Sequence, residues 1–146
     1  MSGEENHMTI TYRIMTLEDY ENVYTLWEST PGIGLSEADS REGIAKFLVA
    51  NPGRCFVALS DEEVVGAVMC GCDGRRGYLH HLAVRMDYRG QGIGRKLVEE
   101  CMVALRAIGI AKAHIFVIKD NESGKAFWRE VGWQEREDLT VMSRMV

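Results

Sequence analysis

The stretch Arg89-Gly90-Gln91-Gly92-Ile93-Gly94-Arg95-Lys96 decides how the chain is read. Before it, Tyr78 to Val84 has the apolar character of a strand. After it, Ile93, Leu97, Val98, Cys101, Met102 and Leu105 recur at three- and four-residue spacing as far as Gly109, the signature of an amphipathic helix. Three glycines at alternate positions clear side chains from the helix start. Its free backbone N–H groups and the positive end of its dipole can then face an anion, with arginines on either side. A pyrophosphate fits that description, and so does a turn that holds no ligand. The dinucleotide fingerprint G-x-G-x-x-G would need glycine where Arg95 stands. The triphosphate loop would need a lysine and a hydroxyl residue after its last glycine, whereas Gly94 is followed by Arg95, Lys96 and Leu97. A nicotinamide cofactor, ATP and GTP are all disfavoured.

Outward from this turn the chain alternates between strands and helices. Thr9 to Met15 reads as a strand, and Thr16 with Asp19 as a capping box opening a helix to about Glu28. After the break at Thr30 to Gly34, a second helix is expected from Glu37 to Val49, closed by Asn51-Pro52-Gly53. Cys55 to Leu59 and Val64 to Gly71 form a hairpin around Ser60-Asp61-Glu62-Glu63. Beyond the long helix, His114 to Ile118 reads as a strand, Glu122 to Val131 as a helix and Leu139 to Met145 as a closing strand. The order β-α-α-β-β-β-α-β-α-β describes a mixed-sheet α/β or α+β fold.

The whole sequence has 146 residues, 46% hydrophobic and 27% charged, which suits one domain over residues 1–146 and disfavours disorder. No apolar run approaches the roughly 18 residues of a spanning helix, and Met1 to Met8 lacks the apolar core of a secretory leader. A cytoplasmic protein with reduced cysteines is expected. Cys70-Gly71-Cys72 lacks the spacing of a zinc knuckle, so no metal is expected. Net charge is −5, yet Arg75 to Lys96 holds six basic residues and one acid, leaving −10 for the rest. A local basic patch in an acidic chain suits a small polyanion rather than nucleic acid.

Leu82-Ala83-Val84, then Arg85-Met86-Asp87-Tyr88, then Arg89-Gly90-Gln91-Gly92-Ile93-Gly94 resembles the acetyl-CoA signature of the GNAT N-acetyltransferases. Arg89, Gly92 and Gly94 fill that family's pattern Q/R-x-x-G-x-G/A behind a strand ending L-A-V. Asn121, Ala126-Phe127-Trp128 and Gly132-Trp133 resemble its later positions, so the likeness spans nearly the whole chain. It implies a sheet with splayed central strands and acetyl-CoA as cosubstrate. The backbone of Leu82, Ala83 and Val84 would bind the pantetheine arm, Arg89, Gly90, Gln91, Gly92, Ile93, Gly94 and Arg95 the pyrophosphate, and Asn121 the cofactor arm; Asn121 also reads as a plain helix cap. The acceptor would be a primary amine of a small molecule or peptide, with no nucleic acid or membrane partner and a homodimer left open.

His80 and His81 are neighbours on a strand, so they are expected on opposite faces, with Tyr78, His80 and Leu82 sharing one. Animal arylalkylamine acetyltransferases resemble this stretch, with histidines matching Tyr78 and His80, which implies His80 as base with Tyr78 beside it. A histidine merely satisfied within the sheet is the alternative, and for His81 the preferred one. Many family members have a proton-donating tyrosine where this chain has Trp128, and an indole does not ionise usefully. Trp128 is therefore read as a wall of the cofactor site. Its presence also keeps open a non-catalytic acyl-CoA binding or sensing module. The acceptor pocket is expected around Tyr24, Trp27, Glu28 and Pro31 to Leu35.

Overall fold

The computed structural model describes residues 9–146; the reading of Met1 to Met8 lies outside them. The chain divides into two compact units, the first ending at Phe116 and the second running from Val117 to Val146.

The first unit is a five-stranded sheet in sequential order, β1 (Ile10–Ile14), β2 (Phe56–Ser60), β3 (Glu63–Cys72), β4 (Gly77–Val84) and β5 (Ala113–Ile115). Neighbours are antiparallel up to β4, and β5 joins β4 in parallel. That switch is the topological reason for the long crossover helix, since parallel neighbours cannot be joined by a tight turn. Helices α1 (Tyr20–Glu28) and α2 (Arg41–Ala50) lie on one face, where Val23, Leu26, Trp27 and Ile44 pack with Val57, Ala67, Met69 and Ala83. On the other face α3 (Ile93–Ala107) buries Ile93, Leu97, Cys101 and Leu105. It comes close: a Cβ on Gly66 would lie 3.1 Å from Leu97, and one on Gly77 would clash with Leu105 at 2.5 Å.

Each N-terminal helix starts through a short 3-10 turn shaped by an aspartate. Asp19 accepts from the Thr16 N–H at 2.8 Å and from both Arg13 guanidinium nitrogens, each at 2.8 Å. Burial alone would raise its pKa, but the Arg13 and Thr16 bonds outweigh burial and hold it below the usual carboxylate range. Asp39 repeats the device with the Ser36 N–H at 3.0 Å. The expected second helix thus splits: a 3-10 turn over Glu37–Asp39, then α2, capped by Ser40. The cysteines are free thiols. Cys55, in the core on the α1–α2 face, and Cys70 and Cys101 are buried at 0–1% exposure, and burial pushes the Cys55 thiol up to about 11.

The second unit contains α4 (Glu122–Glu130), whose Trp128 packs edge-on against Phe127 and Trp133. Two expectations fail at this end. The strand expected over His114 to Ile118 stops at Ile115, and Leu139 to Met145 forms no strand. Leu139, Val141 and Met142 are exposed. Alternating apolar residues specify a face, but a strand also needs a neighbouring ladder, and the 139–145 backbone has none among the described residues. No helix among the described residues is long and apolar enough to cross a membrane, and these residues offer no group of three or more metal-ligating side chains.

Candidate active site

The two histidines of β4 do not face opposite ways. Met69 pairs with His80 and Ala67 with Ala83, so Val68 alone spans His81 and Leu82, a β-bulge with its extra residue on β4. His81 takes the left-handed φ of 54°. Downstream of the bulge the faces exchange, and Ala83 rather than Leu82 continues the face of Tyr78 and His80. Both imidazoles therefore line one cleft of about 560 Å3, closed by Asp39, Ile44, Phe47 and Met69 and mostly apolar.

Within that cleft the two rings have different partners. His81 Nε2 lies 2.9 Å from Asp39 Oδ1, and its ring packs edge-on against Trp27 at 4.9 Å, whose Nε1 donates to the His81 carbonyl at 3.0 Å. His80 meets the Phe47 ring edge at 5.8 Å. Burial, with the charge of His81, pulls the His80 pKa below its ordinary value against the pull of Asp39. Tyr78, on the same face as His80, does not line the cleft; its ring lies beside His114 at 5.7 Å and Phe116 at 6.4 Å.

The cleft abuts an open sheet edge. Pairing between β4 and β5 ends at Leu79 with Ile115, while β4 continues through His80 to Val84. The Arg85 N–H donates to Val65 across the β3 side at 2.8 Å. By the two-residue alternation of a strand, the polar groups of Val84 and Leu82 then face the β5 side. Arg89 Nε bonds the Val84 carbonyl at 3.1 Å. Next come Gly90 at φ 78° and Gly92 at φ 83°. Gly92 is the N-cap of α3 and no side chain caps the helix. Its first backbone bond is Lys96 N–H to Gly92, so the N–H groups of Ile93, Gly94 and Arg95 have no helical acceptor. Gln91 and Arg95 are exposed, and nothing lies within 4 Å of where a Cβ would sit on Gly90 or Gly92.

In the second unit, Asn121 acts as a helix cap: its Oδ1 accepts from the Gly124 N–H at 3.0 Å. Trp128 is buried. Of the residues expected around the acceptor, Trp27 is buried beneath His81 and only Gly34 of the loop reaches the cleft. The wall is built instead by the Ser36–Asp39 turn and by α2. The one signal for it in the sequence is the spacing of Ser36 and Asp39, the same box that Thr16 and Asp19 make.

A mixed sheet whose fourth strand runs on past its parallel partner, beside an uncapped helix start flanked by arginines, leaves backbone amide groups free on both elements, an arrangement that could accept an extended anionic ligand. More narrowly, the chain belongs to the acetyltransferase (GNAT) family, whose model matches residues 20–133, and it is an N-acetyltransferase. An acetyltransferase from Pectobacterium atrosepticum is 32% identical over 134 residues, covering 92% of this chain and 94% of that one. Two solved structures share the fold. The PaiA N-acetyltransferase of Thermoplasma acidophilum in complex with coenzyme A has a TM-score of 0.78 at 21% identity, covering 89% of this chain and 92% of that one. An aminoglycoside acetyltransferase from an uncultured soil metagenomic sample, in complex with sisomicin, has a TM-score of 0.73 at 19% identity, covering 97% and 98%.

Proposed function

We propose that the protein transfers the acetyl group of acetyl-CoA to a primary amine of a small molecule or peptide, by direct attack while both are bound. The observation that carries this is the continuity of three features: the histidine-lined cleft, the β4 edge free of β5 beyond Leu79, and the uncapped start of α3. Acetyl-CoA, when bound, supplies an acyl thioester. The backbone of the Leu82, Ala83 and Val84 stretch offers its outward amide groups to the pantetheine arm, as a missing strand would require. The N–H groups of Ile93, Gly94 and Arg95, with the Arg89 and Arg95 guanidiniums, suit the pyrophosphate, and Gly90, Gln91 and Gly92 leave the approach open.

The acceptor enters from the cleft side. Sisomicin carries several positive charges, but the carboxylate in this cleft, Asp39, is already engaged by His81 and Ser36, and Lys46 lies on the same wall. That lining favours a monoamine with an apolar body over a polycation. Trp128 supplies no acid, so the departing thiolate takes its proton from the amine or water. The test is to mix the protein with acetyl-CoA and a panel of amines and to follow free thiol. Amine-dependent thiol release is expected. Acetyl-CoA binding without any release is the result a non-catalytic acyl-CoA module would give, and it would overturn the proposal.

A further inference from the structure

Acetyl transfer needs the acceptor as a free amine, and the sequence pointed to His80 as the group that takes its proton. The cleft holds a better-equipped imidazole. Resting on the acetyl-transfer reading above, we infer that His81, oriented by Asp39, takes the proton from the acceptor ammonium.

The tautomer follows from the bonds. Asp39 is a buried carboxylate, 6% exposed; one oxygen accepts from the Ser36 N–H and the other lies 2.9 Å from His81 Nε2. A carboxylate can only accept in this arrangement, so Nε2 carries the hydrogen, and in the neutral ring Nδ1 carries the lone pair. Nδ1 has no hydrogen-bond partner among the described residues. In the proton transfer an N–H bond of the ammonium breaks and an N–H bond forms on Nδ1. The lone pair left on the amine nitrogen becomes the nucleophile, and the positive charge passes to an imidazolium already touching a carboxylate. That contact stabilises the charge on the imidazolium.

The backbone supports the same assignment. His81 is a non-glycine residue at φ 54°, a conformation that persists where the surroundings impose it. Three contacts impose it here: the Trp27 Nε1 bond to the His81 carbonyl, the Trp27 ring edge and the Asp39 carboxylate. An in-register strand would turn this ring away from the cleft. The other charged or titratable groups that face it are His80 from β4 and Lys46 from α2; Tyr20 reaches only the Asp39 backbone carbonyl. His80 has no comparable carboxylate partner, and burial pulls its pKa below the ordinary value.

Glycine is the substitution that the His81 backbone tolerates best, so His81→Gly tests the ring with least disturbance to the fold. In the full-length chain we expect kcat to fall by about 100-fold with the KM for acetyl-CoA held, and added imidazole to restore about tenfold of the loss. Imidazole cannot rescue a merely structural role. In Asp39→Asn the negative charge is gone and one acceptor oxygen with it, so the amide can accept from His81 or from the Ser36 N–H but not from both. With the neighbouring charge removed, the acid bend of the pH–kcat profile should move to lower pH, with kcat reduced. In His80→Gln the bend should survive. Wild-type kcat in His81→Gly, a loss that imidazole does not rescue, or a bend that vanishes in His80→Gln instead would each overturn the assignment while leaving acetyl transfer intact. Absence of amine-dependent thiol release in the unsubstituted protein would overturn both.

Discussion

His80 and His81 differ by one position, and the physics of each follows from a hydrogen bond that only one of them has. For His80, burial comes first among the causes of its lowered pKa. The sign of the linkage is then fixed: the unfolded chain binds a proton more readily than the native one. The stability His80 allows is present above the unfolded value near 6.5 and is lost as pH falls through the lower native value. Urea unfolding midpoints should therefore drop on acidification below about pH 6.5, and the drop should be shallower in His80→Gln. Equal slopes in the two proteins would show that the ring is solvated. None of this division of labour was legible in the sequence. The alternation of a strand places adjacent side chains on opposite faces, and what overrode it was the pairing of two β4 residues against Val68. Asp39 was equally hidden, because its carboxylate meets His81 from 42 residues away.

Among the elements, α3 was the most readable, because its apolar spacing and its glycine-rich start are both local. The structure begins it at Ile93, one residue beyond Gly92. Gly92→Glu separates the two duties of that start. The backbone at φ 83° disfavours any side chain, but no atom lies within 4 Å of the new Cβ. The apo fold should lose only about 1 kcal/mol, whereas a carboxylate beside the free N–H groups repels an anion. Calorimetric titration with acetyl-CoA should show binding lost in a protein that still melts cooperatively; undiminished affinity would place the phosphates elsewhere. The edge segments were the least readable. Val141 and Met142 carry strand-like apolar character, but ladder partners decide whether such a segment becomes a strand, and partners are not encoded in a short window. The β4–β5 pair shows the same limit, since its three paired positions end where the apolar sequence continues to Ile118.

At the scale of the molecule, the concentration of positive charge between Arg75 and Lys96 spans β4 and the start of α3, so the basic patch and the open edge coincide along the chain. A ligand held there binds the native state alone. Acetyl-CoA at a hundredfold excess over its dissociation constant should add about 2.7 kcal/mol to stability, read as a rise in Tm; an unmoved Tm at millimolar acetyl-CoA would contradict binding at this site. The inward-facing sulfurs of Cys55, Cys70 and Cys101 have a further consequence. A thiol must be exposed to react with a disulfide reagent, and these are not while the helices rest on the sheet. Only half-exposed Cys72 is within ready reach. The remaining three respond at the rate at which the helices lift away from the sheet, so the chain carries its own clock of internal breathing, and it stays nearly silent when coenzyme thiol is being counted.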